Sequence, residues 1–119
     1  MTNAFWFAGG LLGLSVALVH ARIGQQLIVA PTTGLSEVRA RVLTGVFHLS
    51  SVYWFALGAA VALAGVMPPG VWQRPVAWVT FLIYATGAAA NFWATRGRHF
   101  GWVALAVSVL LIGWGLADA

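Results

Sequence analysis

The six arginines are the chain's only basic residues apart from histidine, and five of them fall in two of the three segments that separate four long apolar runs. Arg22, Arg39 and Arg41 flank the first of these segments, and Arg96 and Arg98 occupy the third. Arg74 lies in the second. A guanidinium is costly in hydrocarbon, and cytoplasmic loops of membrane proteins are enriched in Arg and Lys. The pattern therefore predicts four membrane crossings, with the two arginine-bearing loops in the cytoplasm. Arg74 and both termini are then expected on the outer face of a cytoplasmic (inner) membrane.

Composition excludes a water-soluble alternative. Of 119 residues, 61% are hydrophobic and 7% charged. A soluble domain carries roughly a quarter charged residues, so this chain cannot cover itself with a water-compatible surface. The net charge of +4 comes from arginine alone, since lysine is absent. Arginines so few and so near the ends of apolar runs read as topology anchors that touch anionic head groups, and no nucleic-acid partner is expected. The absence of cysteine removes disulfides, thiolate metal sites and thiol catalysis. Met1-Thr2-Asn3-Ala4 lacks a positive n-region and His20-Ala21-Arg22 is a poor cleavage site, so the first run is expected to stay in the protein.

The apolar runs span approximately 5–23, 42–66, 76–95 and 100–117. Each is close to the ~20 residues a spanning helix needs. Pro68-Pro69-Gly70 breaks the chain between the second and third runs, and Arg96-Gly97-Arg98 makes a tight turn before the fourth. Short connections join antiparallel neighbours, which predicts an all-α, up-down-up-down bundle of four transmembrane helices forming one domain. In the longest connection, Gln25-Gln26 extends the first helix toward the head groups and Pro31 ends it. Thr32-Thr33-Gly34 is expected to turn, and Ser36 to cap a second helix with Glu37 in its first turn. Trp6, Trp72 and Trp114 are expected at the outer interface, Trp93 and Trp102 at the inner one, and Trp54 mid-helix.

Helical periodicity sorts the faces. Gly9, Gly13, Ala17, His20 and Gly24 share an arc of about 80° on the first helix. Small residues on one stripe let membrane helices approach closely. Arg41, Thr44, Gly45, His48, Ser51, Ala59 and Ala62 form the expected inward arc of the second helix, of roughly 120°. Thr80, Tyr84, Gly87, Ala88, Asn91 and Thr95 form that of the third, and Gly101, Ala104, Ser108 and Gly115 that of the fourth. Ser15, Ser50, Tyr53 and Thr86 fall off these arcs, where small hydroxyls can bond their own helix carbonyls.

His20, His48, Asn91 and His99 all lie within about 10 Å of the inner surface at 1.5 Å of rise per residue. A cluster of His20, His48 and Asn91, with Tyr84, is therefore the candidate binding site, because polar groups at membrane depth suggest function. The competing reading is structural: such side chains also join helices by hydrogen bonds and do nothing else. His99, beside two arginines, reads as a solvated interfacial residue. Two imidazoles on adjacent helices can ligate haem iron or a metal, but no ligand spacing and no supporting carboxylate at their depth accompanies them, and no metal site is assigned. The acids Glu37 and Asp118 lie at opposite ends, so no carboxylate pair forms, and His48 with Ser51 lacks an orienting acid. No enzymatic chemistry is expected. The chain is similar to small multidrug resistance exporters in size and helix count, but it lacks their first-helix carboxylate, which sets that assignment aside.

His20-Ala21-Arg22-Ile23-Gly24, then Leu27-Ile28-Val29-Ala30-Pro31, then His48 after Phe47, resembles a group of small uncharacterised bacterial four-helix membrane proteins. That resemblance implies the four-helix topology and draws attention to His20 and His48, and it implies no activity. Two functions follow as expectations. One is an accessory or structural subunit that packs with itself or inside a larger complex, such as a respiratory or photosynthetic assembly. The other is a binding or transport protein with a cytoplasmic-leaflet pocket for haem, metal, quinone, lipid or a small solute.

Overall fold

A computed structural model describes residues 3–29 and 34–118, and all secondary structure among them is helical. Four α-helices run over Ala4–Gly24 (α1), Glu37–Val66 (α2), Gln73–Thr95 (α3) and Gly101–Ala117 (α4), and a π-helical turn, Gln25–Val29, continues α1. Pro31, Thr32 and Thr33, expected to end and turn the first extension, lie outside the described residues. α1 with its extension, α2 and α3 are each long and apolar enough to cross a membrane, while α4 is a shorter apolar helix.

Local chemistry explains the helix ends. Asn3 caps α1, its Oδ1 accepting from the Trp6 N–H at 3.0 Å. Ser36 stands at the N-cap of α2 with Glu37 in the first turn, although its hydroxyl makes no capping bond. Glu37 instead pairs with Arg41 one turn on, on an exposed face. Pro68-Pro69 follows the end of α2, and Pro75 sits in the first turn of α3, where a missing N–H costs nothing. At the end of α3, Arg96 takes the left-handed conformation (φ 52°) and Gly97 follows it (φ 74°). The Gly97 N–H then reaches back to the Phe92 carbonyl at 2.9 Å, which caps the helix and turns the chain.

Each helix packs on two others: α1 on α2 and α4, and α3 on α2 and α4. The tightest seam joins α1 and α2 through glycine. A Cβ on Gly10 would lie 2.5 Å from the Ala62 nitrogen and 2.6 Å from the Gly58 carbonyl oxygen. Only a residue without a side chain permits that backbone approach, the close van der Waals contact by which helices in membranes pack. Gly65 meets Phe7 and Asn3 in the same way further along. The first-helix stripe Gly9, Gly13, Ala17 and Gly24 is buried, with His20 half-buried.

The inward face of α2 differs from expectation. Its buried residues are Phe47, Ser51, Trp54, Gly58, Val61, Ala64 and Gly65, and of the polar arc only Ser51 is among them. Arg41, Gly45 and His48 are exposed. Shape decides this: the Phe47 ring fills the notch at Gly24, and the Trp54 indole fills the one at Gly87. Trp6 is likewise buried, against Gly115. On α3 the expected arc holds in Thr80, Tyr84 and Ala88, with Gly87, Asn91 and Thr95 half-buried. On α4 it holds in Ser108 and Gly115, while Gly101 and Ala104 are half-buried and Leu105, Ile112 and Leu116 fill the core.

Polar side chains tie one end and the middle. At the end away from the arginine pairs, Asn3 donates from its backbone N to the Gly65 carbonyl (2.7 Å) and from Nδ2 to the Gly115 carbonyl (3.0 Å), so the start of α1 holds the last turns of α2 and α4. Buried Gln73 staples the Pro-Pro-Gly loop: its Nε2 lies 3.0–3.2 Å from the carbonyls of Ala64, Met67 and Pro68, and its Oε1 accepts from Gly70 N. Midway, Ser108 Oγ donates to the Gly9 carbonyl. Ser15, Ser50 and Thr86 bond carbonyls of their own helices.

Candidate functional site

The end of the bundle that carries Arg22, Arg39, Arg41, Arg96 and Arg98 is built differently. There α1, α3 and α4 part around a cavity of about 120 Å³. Its apolar wall is Val16, Val19, Ile23, Leu27 and Leu105, and its polar groups are His20, Asn91, Thr95 and His99. Gly24 and Gly101 form part of the wall and Trp54 closes the α2 side. The π-helical turn places Leu27 on this wall while Gln25 faces α2. Such wide turns recur at functional sites because they re-aim successive side chains.

His20 is held by aromatic rings. Its imidazole stacks on Phe47 from α2, with centroids 4.3 Å apart and planes at 22°, and lies 4.8 Å from the Trp54 ring at 42°. Among the described residues it has no hydrogen-bond partner, so its ring nitrogens remain available. Asn91 Nδ2 donates to the Gly87 carbonyl one turn back (3.0 Å), which leaves a second N–H and the amide oxygen. Thr95 Oγ1 donates to the Asn91 carbonyl (2.6 Å). His99 Nδ1 accepts from the Gly101 N–H (3.0 Å), so its proton resides on Nε2 as a spare donor.

The four residues expected to form one site are separated into three environments. His20 and Asn91 share the cavity. His48 faces the other side of α1, beside Ala17, Leu18, Ala21 and Ser51, with its Nε2 2.8 Å from Gln25 Oε1. Tyr84 is fully buried and donates its hydroxyl to the Trp54 carbonyl at 2.7 Å, joining α3 to α2. Its ring and hydroxyl lie against Gly13 and Gly58. His20 and His48 therefore line separate cavities. Among the described residues, no three His, Cys, Asp or Glu side chains gather in one place.

His99 is the lining residue that sequence reasoning set aside, because two neighbouring arginines suggest only solvent. Its placement follows from the tight turn, which folds residue 99 back over the start of α4. Leu27, on the π turn, carries no sequence signal for its role.

Comparison with protein-family models, with curated proteins and with solved structures finds no match.

Proposed function

We propose that the chain is a non-enzymatic, four-span membrane protein that binds a lipophilic ligand in the cavity between α1, α3 and α4. The carrying observation is the contrast between the two ends of the bundle. Asn3 and Gln73 spend their polar atoms on the protein itself, whereas His20 and Asn91 keep hydrogen-bonding capacity facing an apolar-walled cavity. A few convergent polar groups in an apolar pocket are the usual form of a small-molecule site.

The membrane arrangement belongs to the same proposal. Contacts pair Asn3 with Gly65 and Gly24 with Phe47, which supports opposite directions for α1 and α2. The pairs Trp6–Gly115, Trp54–Gly87 and Phe92–Trp102 support the same for the remaining neighbours, giving an up-down-up-down bundle. At 17 residues, α4 is at the short limit for a span. With the five-arginine end cytoplasmic, both termini face the periplasm and the cavity opens in the inner leaflet. A reporter enzyme active only in the periplasm, fused to either terminus, is expected to be active. A cytoplasmic amino terminus overturns the arrangement.

Purification from native membranes with mild detergent, followed by organic extraction and mass spectrometry, tests the binding reading. One small lipophilic species is expected at near-stoichiometric amount in the wild type, and absent from the His20→Ala/Asn91→Leu double variant. Equal ligand content in both overturns it.

The accessory-subunit reading rests on a different observation. The described segments between helices after α2 are short, 67–72 and 96–100, and large apolar side chains cover the outside of α2 and α3. A subunit inside a larger membrane assembly, or a homo-oligomer, has this form. Size analysis after gentle extraction tests it, and a monomer without a co-purifying chain overturns it.

A further inference from the structure

We infer that the cavity holds one acyl chain whose head is an anionic group rich in hydrogen-bond acceptors. The inference rests on the binding reading above and adds the ligand's chemistry.

Shape is the first argument. The lining runs along α1 and its extension from Val16 to Leu27, about 16 Å of axis at 1.5 Å per residue. A volume of about 120 Å³ spread over that length makes a slender slot. An apolar cavity of ~150 Å³ gathered in one place takes a benzene ring. The enclosed volume here is smaller, but Val19, Ile23 and Leu27 stay exposed, so the slot is open along its side and an extended hydrocarbon chain can lie in it partly outside the enclosed volume.

Polarity sets the direction of the chain. Val16 and Leu105 line the deep end, His20 and Asn91 stand midway, and Thr95, Gly101 and His99 line the end toward the arginines. The methyl end of the chain therefore points at Leu105. Its head lies toward His99, within reach of the turn that carries Arg96 and Arg98.

Charge and hydrogen bonding select the head. The free capacity includes donors on His20, on the second Asn91 N–H and on His99 Nε2. No acid lines the slot, and Glu37, the acid next to α2's arginines, is paired with Arg41. Donors beside Arg96 and Arg98, which make no ion pair among the described residues, favour carboxylate or phosphate-ester oxygens and disfavour a cation. A free fatty acid and an anionic membrane phospholipid share this chemistry.

Native mass spectrometry of the delipidated full chain in detergent distinguishes them. The probes are oleate, dioleoylphosphatidylglycerol and dioleoylphosphatidylcholine, each added alone. Retention of one oleate or one phosphatidylglycerol, in preference to phosphatidylcholine, is expected, and the species retained identifies the source. Val16→Phe fills the slot and should cut retention at least about tenfold, whereas Leu110→Phe on the exposed face of α4 should leave it unchanged. His99→Leu removes the donor at the head-group end, so it should abolish the head-group preference. Helical content and thermal unfolding establish that each variant is folded. If all three probes bind equally, or the Val16→Phe protein retains them like the wild type, the acyl-chain inference falls. If the ligand extracted from native membranes has no acyl chain yet is lost in Val16→Phe, this inference fails and the binding reading stands.

Discussion

His20 and Phe47 stack face to face across the seam between α1 and α2, with ring centroids 4.3 Å apart. Phe47 also fills the notch left by Gly24, so one phenyl ring both closes the seam and sets the angle at which the imidazole meets the cavity. Phe47→Ala should destabilise the protein by about 3–5 kcal/mol, the cost of emptying a buried aromatic site, and should weaken ligand retention. Phe47→Leu, which keeps most of the volume, should cost less than half as much. Unfolding midpoints in detergent check both.

The glycine seam gives a paired prediction. Gly10→Leu forces α1 away from Gly58 and Ala62 and should cost at least about 1–3 kcal/mol. Gly45 is exposed, with nothing within 4 Å of an added Cβ. Gly45→Ala should therefore be neutral or stabilise by up to about 1 kcal/mol through helix propensity. In thermal melts the midpoint of Gly10→Leu should fall, while that of Gly45→Ala should stay unchanged or rise.

Tyr84→Phe removes only the hydroxyl that donates to the Trp54 carbonyl. Hydrogen bonds between membrane helices average about 0.6 kcal/mol, so a small drop in melting temperature is expected. Ligand content should not change, because Tyr84 is not on the cavity wall. Lost binding with unchanged stability contradicts the packing role assigned to Tyr84.

Asn3→Ala deletes the cap on α1 and the bond to the Gly115 carbonyl while leaving the backbone bond to Gly65. A loss of about 1–2 kcal/mol is expected from the cap alone. Hydrogen exchange should rise in the last turn of α4, where the freed carbonyl lies, and stay unchanged around Arg96.

Several of these relationships are legible in the residues themselves. The spacing of Gly9, Gly13, Ala17 and Gly24 points to a buried stripe, and that stripe is buried. Ser36, Pro68-Pro69-Gly70 and Arg96-Gly97 mark helix boundaries through local backbone chemistry, which needs no partner. Reading α2 by polarity failed, because near the arginine end an imidazole or hydroxyl can face outward cheaply, while a glycine notch on a neighbour has to be filled. Phe47 and Trp54 face inward for that reason. Asn3 was illegible as a staple, since its side-chain acceptor lies on α4, 112 positions away in the chain. Gln73 was illegible because the loop that brings the Ala64, Met67 and Pro68 carbonyls to its amide has no sequence period.

By itself, the order of apolar runs, helix breakers and small-residue stripes determined that this chain forms helices and which face of α1 they bury. These are local or periodic properties, set by backbone sterics and by the cost of leaving peptide groups unpaired in an apolar medium. Only the tertiary structure decided that His20 joins Asn91 and His99 while His48 turns to the opposite side of α1. That choice depends on how rings and glycine notches on different helices fit together, and side-chain fit across an interface has no period along the sequence.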